Sequence, residues 1–132
     1  MRPIPSPGES PAPSSEPIGG WRFDVRVAES HGLTRVCPVG EVDLATVDRV
    51  RHELEAVKAA GARRVALDLR DTTFLDSSGL RLIVEAQHSS NADGWQFGVI
   101  PGPPGVQRAL EIAGLSNFVS FVADGADGAE SR

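Results

Sequence analysis

The sequence predicts an α/β domain: a mixed, mostly parallel β-sheet that opens with an N-terminal hairpin and carries helices packed on it, in the order ββαβαβαβ. Three observations lead there. Phe23-Asp24-Val25-Arg26-Val27 alternates apolar and polar residues, the period of a half-buried strand. Leu44, Val47, Val50, Leu54 and Val57 recur at the spacing of one helix face. Beyond them, short apolar runs alternate with further helix-spaced stretches, and such alternation implies parallel strands joined by crossover helices.

Each element follows in turn. Ser30-His31-Gly32 reads as a turn, and Thr34 to Val39 returns as the second strand of the hairpin. Pro38 lacks a backbone donor, so a bulge or a strand end is expected there. Asp43 precedes the first helix and is its expected N-cap, because a carboxylate accepts the unpaired amide hydrogens of a first turn. Gly61 is the matching stop. Arg64-Val65-Ala66-Leu67-Asp68-Leu69 reads as a strand buried on much of both faces. A second helix is expected from Ser78 to about Ser90, carrying Leu80, Leu82, Ile83, Val84 and Ala86, and Trp95 to Ile100 is another strand. Pro101-Gly102-Pro103-Pro104-Gly105 is a rigid connector to a third helix, Val106 to Ala113. Gly114 and Leu115 look like a glycine stop with its following apolar contact. Phe118 to Val122 is expected to close the domain as a last strand.

The chain has 132 residues, enough for a single domain with a workable core. Residues 1–20 are rich in Pro and Ser and nearly free of apolar side chains, so a disordered tail is expected there. The compact domain then spans 21–123, and 124–132 reads as a second disordered tail. A net charge of −5 without a basic block argues against nucleic acid as a partner, since binding phosphates needs a basic face. No apolar run approaches the roughly 20 residues needed to cross a bilayer. The N-terminus lacks the apolar core of a secretory signal, and the lone Cys37 can form no internal disulfide. A cytoplasmic protein without a membrane partner is expected.

Asp76-Ser77-Ser78-Gly79-Leu80 sits at the start of the second helix. Its plain reading is N-capping by Asp or Ser. The functional reading uses the same physics: free amide hydrogens and the positive end of the helix dipole tolerate a phosphate on a nearby hydroxyl. A catalytic serine needs a base within hydrogen-bond reach. His88 lies eleven residues along the same helix from Ser77, roughly 16 Å away along the axis. His52 is deep in the first helix and His31 lies in a hairpin turn. No G-x-S-x-G elbow is present, so no catalytic residue is assigned. The Pro/Gly connector lacks the ending and glycine spacing of a P-loop, and Cys37 with the three histidines has no metal-ligand spacing. No metal or cofactor is expected. Gly40-Glu41-Val42-Asp43 is locally a turn and a cap. Asp43 and Ser77 nevertheless both follow strands that precede helices, and in a parallel sheet those ends gather on one edge.

Gly40-Glu41-Val42-Asp43, then Phe74-Leu75-Asp76-Ser77-Ser78-Gly79-Leu80, then Ala109-Leu110-Glu111-Ile112-Ala113-Gly114-Leu115 resembles the STAS family of anti-sigma factor antagonists, with the match running from Phe23 to Val122. The resemblance implies the STAS fold and a partner-switching role. Such a protein binds an anti-sigma factor, which frees a sigma factor for RNA polymerase. The anti-sigma factor has serine kinase activity and phosphorylates its antagonist, and a phosphatase resets the switch. By position Ser77 is the implied phosphorylation site, and Asp43, Asp76, Ser78, Gly79 and Arg81 the implied partner-binding surface. Arg81 departs from the pattern, standing where many members carry a small residue. ATP belongs to the kinase, so the chain needs no cofactor. The alternative role for the same fold is a STAS subunit of a membrane transport complex, such as a bacterial lipid transporter; the intact Asp76-Ser77-Ser78-Gly79 favours the switch.

Overall fold

The computed structural model describes residues 23–123. The tails expected at 1–20 and 124–132, with Trp21 and Arg22, lie outside the described residues. The chain enters through a hairpin of β1 (Asp24–Ser30) and β2 (Leu33–Val42), paired antiparallel from Asp24↔Val39 to Ser30↔Leu33. Its two-residue loop has positive φ at both positions, 54° at His31 and 81° at Gly32. That twist matches the twist of paired strands.

After the hairpin come α1 (Val47–Ala59), β3 (Arg64–Asp68), β4 (Thr72–Leu75), α2 (Ser77–Asp93), β5 (Gln96–Ile100) and α3 (Pro104–Ile112). The sheet runs β1-β2-β3-β5, with β4 paired to β2 alone. Every pairing outside the hairpin is parallel. The mixed, mostly parallel sheet is therefore as expected, but the element order differs from ββαβαβαβ in two places. β4 is an additional strand. Leu69 donates to Ile100 and ends the β3–β5 ladder, and the chain then turns and resumes pairing along β2. The expected last strand shrinks to a single parallel bridge, Val99↔Phe121. Its first half is consumed by a turn in which Phe118 and Val119 both donate to the Leu115 carbonyl.

β2 spans ten residues because it serves two partners. Thr34–Val36 pairs with β3, and Gly40–Val42 pairs with β4. Pro38, expected to mark a bulge or strand end, instead sits buried in mid-strand opposite Val25. It falls where β2 changes partner, so its missing donor interrupts neither parallel ladder. Thr72 closes the gap from the other side, its hydroxyl donating to the Pro38 carbonyl at 3.1 Å.

The helix ends follow local chemistry. α2 runs past the expected Ser90 to Asp93 and stops at Gly94. α3 begins at Pro104, two residues before the expected start, with proline at a helix position where no amide partner is needed. Its C-terminus has the expected glycine stop: Gly114 has φ 79°, its amide donates to Glu111, and the Leu115 amide donates to Leu110. Leu115 is buried there.

The main core lies between the sheet and the helices: Val36, Val65, Leu67, Leu75 and Val99 from strands meet Val50, Leu54, Leu82, Ile83 and Leu110 from helices. A small second cluster of Leu33, Ala66 and Ile100, with Val122 against it, occupies the other sheet face. β3 is thus buried on both sides, as its unbroken apolar run implies. Near its end Asp68 is buried and ion-paired with Arg70 at 2.7 Å and Arg35 at 3.4 Å. Burial alone acts to raise the Asp68 carboxyl, but the Arg70 side chain and amide hydrogen bonds outweigh it and hold it below the usual carboxylate range. Among the described residues, no helix is long and apolar enough to cross a membrane.

Candidate functional site

The site is built by the register of two parallel strands. Val42 at the end of β2 lies opposite Leu75 at the end of β4. The Asp76 amide donates to the Val42 carbonyl at 3.1 Å, carrying the pairing one step further. Asp43 and Asp76 therefore leave neighbouring strand ends together, on the sheet edge where α/β folds gather their loops.

Asp76 is the N-cap of α2. Its backbone is extended, and its Oδ1 accepts from the Ser78 amide at 2.7 Å and the Gly79 amide at 3.2 Å. The Leu80 amide is taken by the Asp76 carbonyl at 3.1 Å. Ser77 is the first residue of the helix and is exposed, and among the described residues nothing hydrogen-bonds its hydroxyl. Ser78 is half-buried beside it. Arg81, one turn further on, is exposed.

Gly79 was expected on the partner surface, and the structure buries it instead. A Cβ built there would stand 2.8 Å from Leu75 Cδ2 and 3.1 Å from Val42 Cγ1. Glycine is needed so that α2 can settle onto the two strand ends. It shapes the site without touching its surface.

Asp43 departs from its expected role as the N-cap of α1, because that helix begins only at Val47. The carboxylate caps the turn leading into the helix, accepting from the Ala45 amide at 2.9 Å and the Thr46 amide at 3.2 Å. Thr46 returns the favour: its hydroxyl accepts from the Asp43 amide at 3.0 Å and donates to the Glu41 carbonyl at 2.8 Å. Thr46 is the residue that the sequence reading missed. Its signal was present, since two hydroxyl or carboxylate side chains three positions apart can cap one another's amides, as in a capping box. Leu44, expected on the apolar face of the first helix, instead precedes that helix and is 78% exposed, and Phe74 on β4 is 49% exposed.

The histidines stand elsewhere. His31 is in the hairpin turn, His52 is exposed on α1, and His88 packs edge-on against Phe118 at 5.6 Å. The arrangement thus presents an unbonded hydroxyl, capped turns on either side and exposed apolar flanks.

The sequence matches the STAS domain family over residues 24–127. The chain belongs to the STAS domain family. A curated relative, the anti-sigma F factor antagonist of Paenibacillus polymyxa, is 32% identical over 94 residues, which cover 70% of this chain and 80% of that protein. An anti-sigma factor antagonist from Mycobacterium paratuberculosis shares the fold with a TM-score of 0.68 at 24% identity, covering 80% of this chain and 89% of that one. The Bacillus cell fate determinant SpoIIAA in its phosphorylated form does so with a TM-score of 0.57 at 17% identity, covering 78% and 93%. In this STAS domain the segments 43–46 and 76–81 leave neighbouring strand ends because β2 and β4 end side by side. The long-range register, not either motif alone, brings them together.

Proposed function

We propose that this STAS domain is an anti-sigma factor antagonist switched by phosphorylation of Ser77. In its unmodified state it binds an anti-sigma factor through the surface around Asp43, Asp76, Ser78 and Arg81, and so releases a sigma factor for transcription. The anti-sigma factor is also the serine kinase that modifies Ser77, and a phosphatase restores binding. The reading needs a cytoplasmic protein and no catalytic group of its own. The observation that carries it is the exposed, unbonded Ser77 hydroxyl at the head of α2, on the sheet edge it shares with Asp43. The names of the relative from Paenibacillus and of the two solved structures support it.

Phosphate adds about −1.5 to −2 charges near pH 7. An interface fitted to a neutral hydroxyl must desolvate that charge and find room for it. A penalty of about 3–4 kcal/mol weakens affinity several hundredfold. The test is incubation with the host's anti-sigma kinases and ATP, mass-spectrometric mapping of the product, and affinity measurements with variants. Phosphate is expected on Ser77. Ser77→Ala should bind and resist inactivation, Ser77→Asp should bind poorly, and Ser78→Ala should remain phosphorylatable. Asp43→Ala should lose more affinity than the about 0.5–2 kcal/mol that loss of a cap costs in stability. Phosphate on Ser78, or a Ser77→Asp variant that binds like wild type, overturns the assignment.

A further inference from the structure

The first turn of α2 has little left to offer a phosphate. Ordinarily a helix N-terminus presents unpaired amides to an anion. Here Asp76 already occupies the Ser78 and Gly79 amides through its side chain and the Leu80 amide through its carbonyl. Asp76 and Asp43 also place two carboxylates on the neighbouring strand ends. A phosphate on Ser77 therefore meets engaged donors and nearby negative charge, and its countercharge has to come from a side chain.

Arg81 is placed to supply it. It lies four residues after Ser77 in α2, and both side chains are exposed. Residues at this spacing are neighbours on a helix surface, about 5–6 Å apart at Cβ. Side chains in a helix also lean toward its N-terminus, so Arg81 leans over the turn that begins at Ser77. Nothing else claims the guanidinium among the described residues. Glu85, the acid one turn further along, is held by Arg51 of α1 at 3.1 Å. No acidic residue stands in the first turn of α2 itself. A cation near this end of a helix faces the positive end of the dipole, so local stability gives no reason for an arginine here. A phosphate one turn away gives one.

We propose that Arg81 is a positioning residue that clamps phosphorylated Ser77 within the same chain. The inference rests on the reading of Ser77 as the modified residue. In the unmodified protein the guanidinium is free to face a partner. Once Ser77 carries phosphate, the guanidinium folds back onto it in a charge-assisted, two-pronged contact suited to arginine. One modification then both adds an anion to the surface and withdraws a cation from it.

The test uses the full chain with phosphoserine installed at position 77 during translation, so it does not depend on whether any kinase chooses that residue. The second ionisation of the phosphate, ordinarily near pH 6, is followed by phosphorus NMR in the wild type, in Arg81→Gln and in a control, Arg108→Gln, whose exposed arginine lies on α3. A nearby cation favours the doubly charged phosphate and lowers that midpoint. The midpoint in the wild type should lie about 0.5 pH unit below that of Arg81→Gln, as suits a part-exposed pair. Arg108→Gln should match the wild type. The Arg81 Nε–H resonance should move when phosphate is present. Equal midpoints in wild type and Arg81→Gln, or a displaced midpoint in Arg108→Gln instead, overturn the clamp. Kinase mapping that places phosphate elsewhere overturns the reading of Ser77 and leaves the clamp result as measured.

Discussion

At the scale of single residues, Cys37 shows what burial does to a reactive group. Its thiol is buried on β2 with Sγ 3.6 Å from Asp68 Oδ2. Burial pushes the thiol up to about 11 from its ordinary 9.0, and the adjacent Asp68 carboxylate pushes the same way. The folded chain thus holds this proton more tightly than the unfolded chain does. The stabilisation is complete below pH 9.0 and is lost as pH rises toward about 11. A part-screened thiol held that far above its ordinary value contributes about 1–2 kcal/mol. Denaturant midpoints measured at about pH 8 and about pH 10.5 should fall further in the wild type than in Cys37→Ala. Parallel declines would show that the thiol does not titrate in this window. The sequence places this cysteine in an apolar strand, where a lone cysteine packs as a small hydrophobe. It could not show the contact with Asp68, which lies 31 positions away.

Among the elements, α2 depends on the absence of one side chain. Gly79→Ala places a Cβ within 3.0 Å of Leu75, and overpacking of this kind costs about 1–3 kcal/mol. Helix propensity favours alanine by about 1 kcal/mol, which offsets part of that cost. A net loss of stability in thermal unfolding is expected, with a larger loss for Gly79→Val. A Gly79→Ala variant more stable than wild type would show that the strand ends yield to the helix. The start of α2 was legible from Asp76-Ser77-Ser78-Gly79, whereas the use of Gly79 was not, because Val42 and Leu75 reach it only through the β2–β4 pairing. β4 itself escaped the sequence reading for a simple reason. Thr72-Thr73-Phe74-Leu75 is too short for periodicity, and its burial pattern does not alternate. The reverse happened at Phe118 to Val122, where strand-like residues fold into a turn anchored on Leu115 and keep only one bridging position.

For the whole molecule, the general architecture was legible because it rests on period and order, while the site rests on which strand lies beside which. β2 is the member common to the hairpin, the body of the sheet and the site. Only its last few residues hold β4, and β4 has no other strand partner. The β3–β5 ladder, by contrast, pairs five residues deep and is buried on both faces. Local opening free energies in a protein range from near zero to the global value, and they track such differences. Native-state hydrogen exchange should therefore find the Asp76 amide, held by Val42, exchanging well before the Leu69 amide, held by Ile100; equal protection would show one cooperative unit. The edge that carries Asp43 and Asp76 then behaves like a hem stitched to the sheet along a single seam. It can loosen and draw tight again while the fabric behind it stays whole.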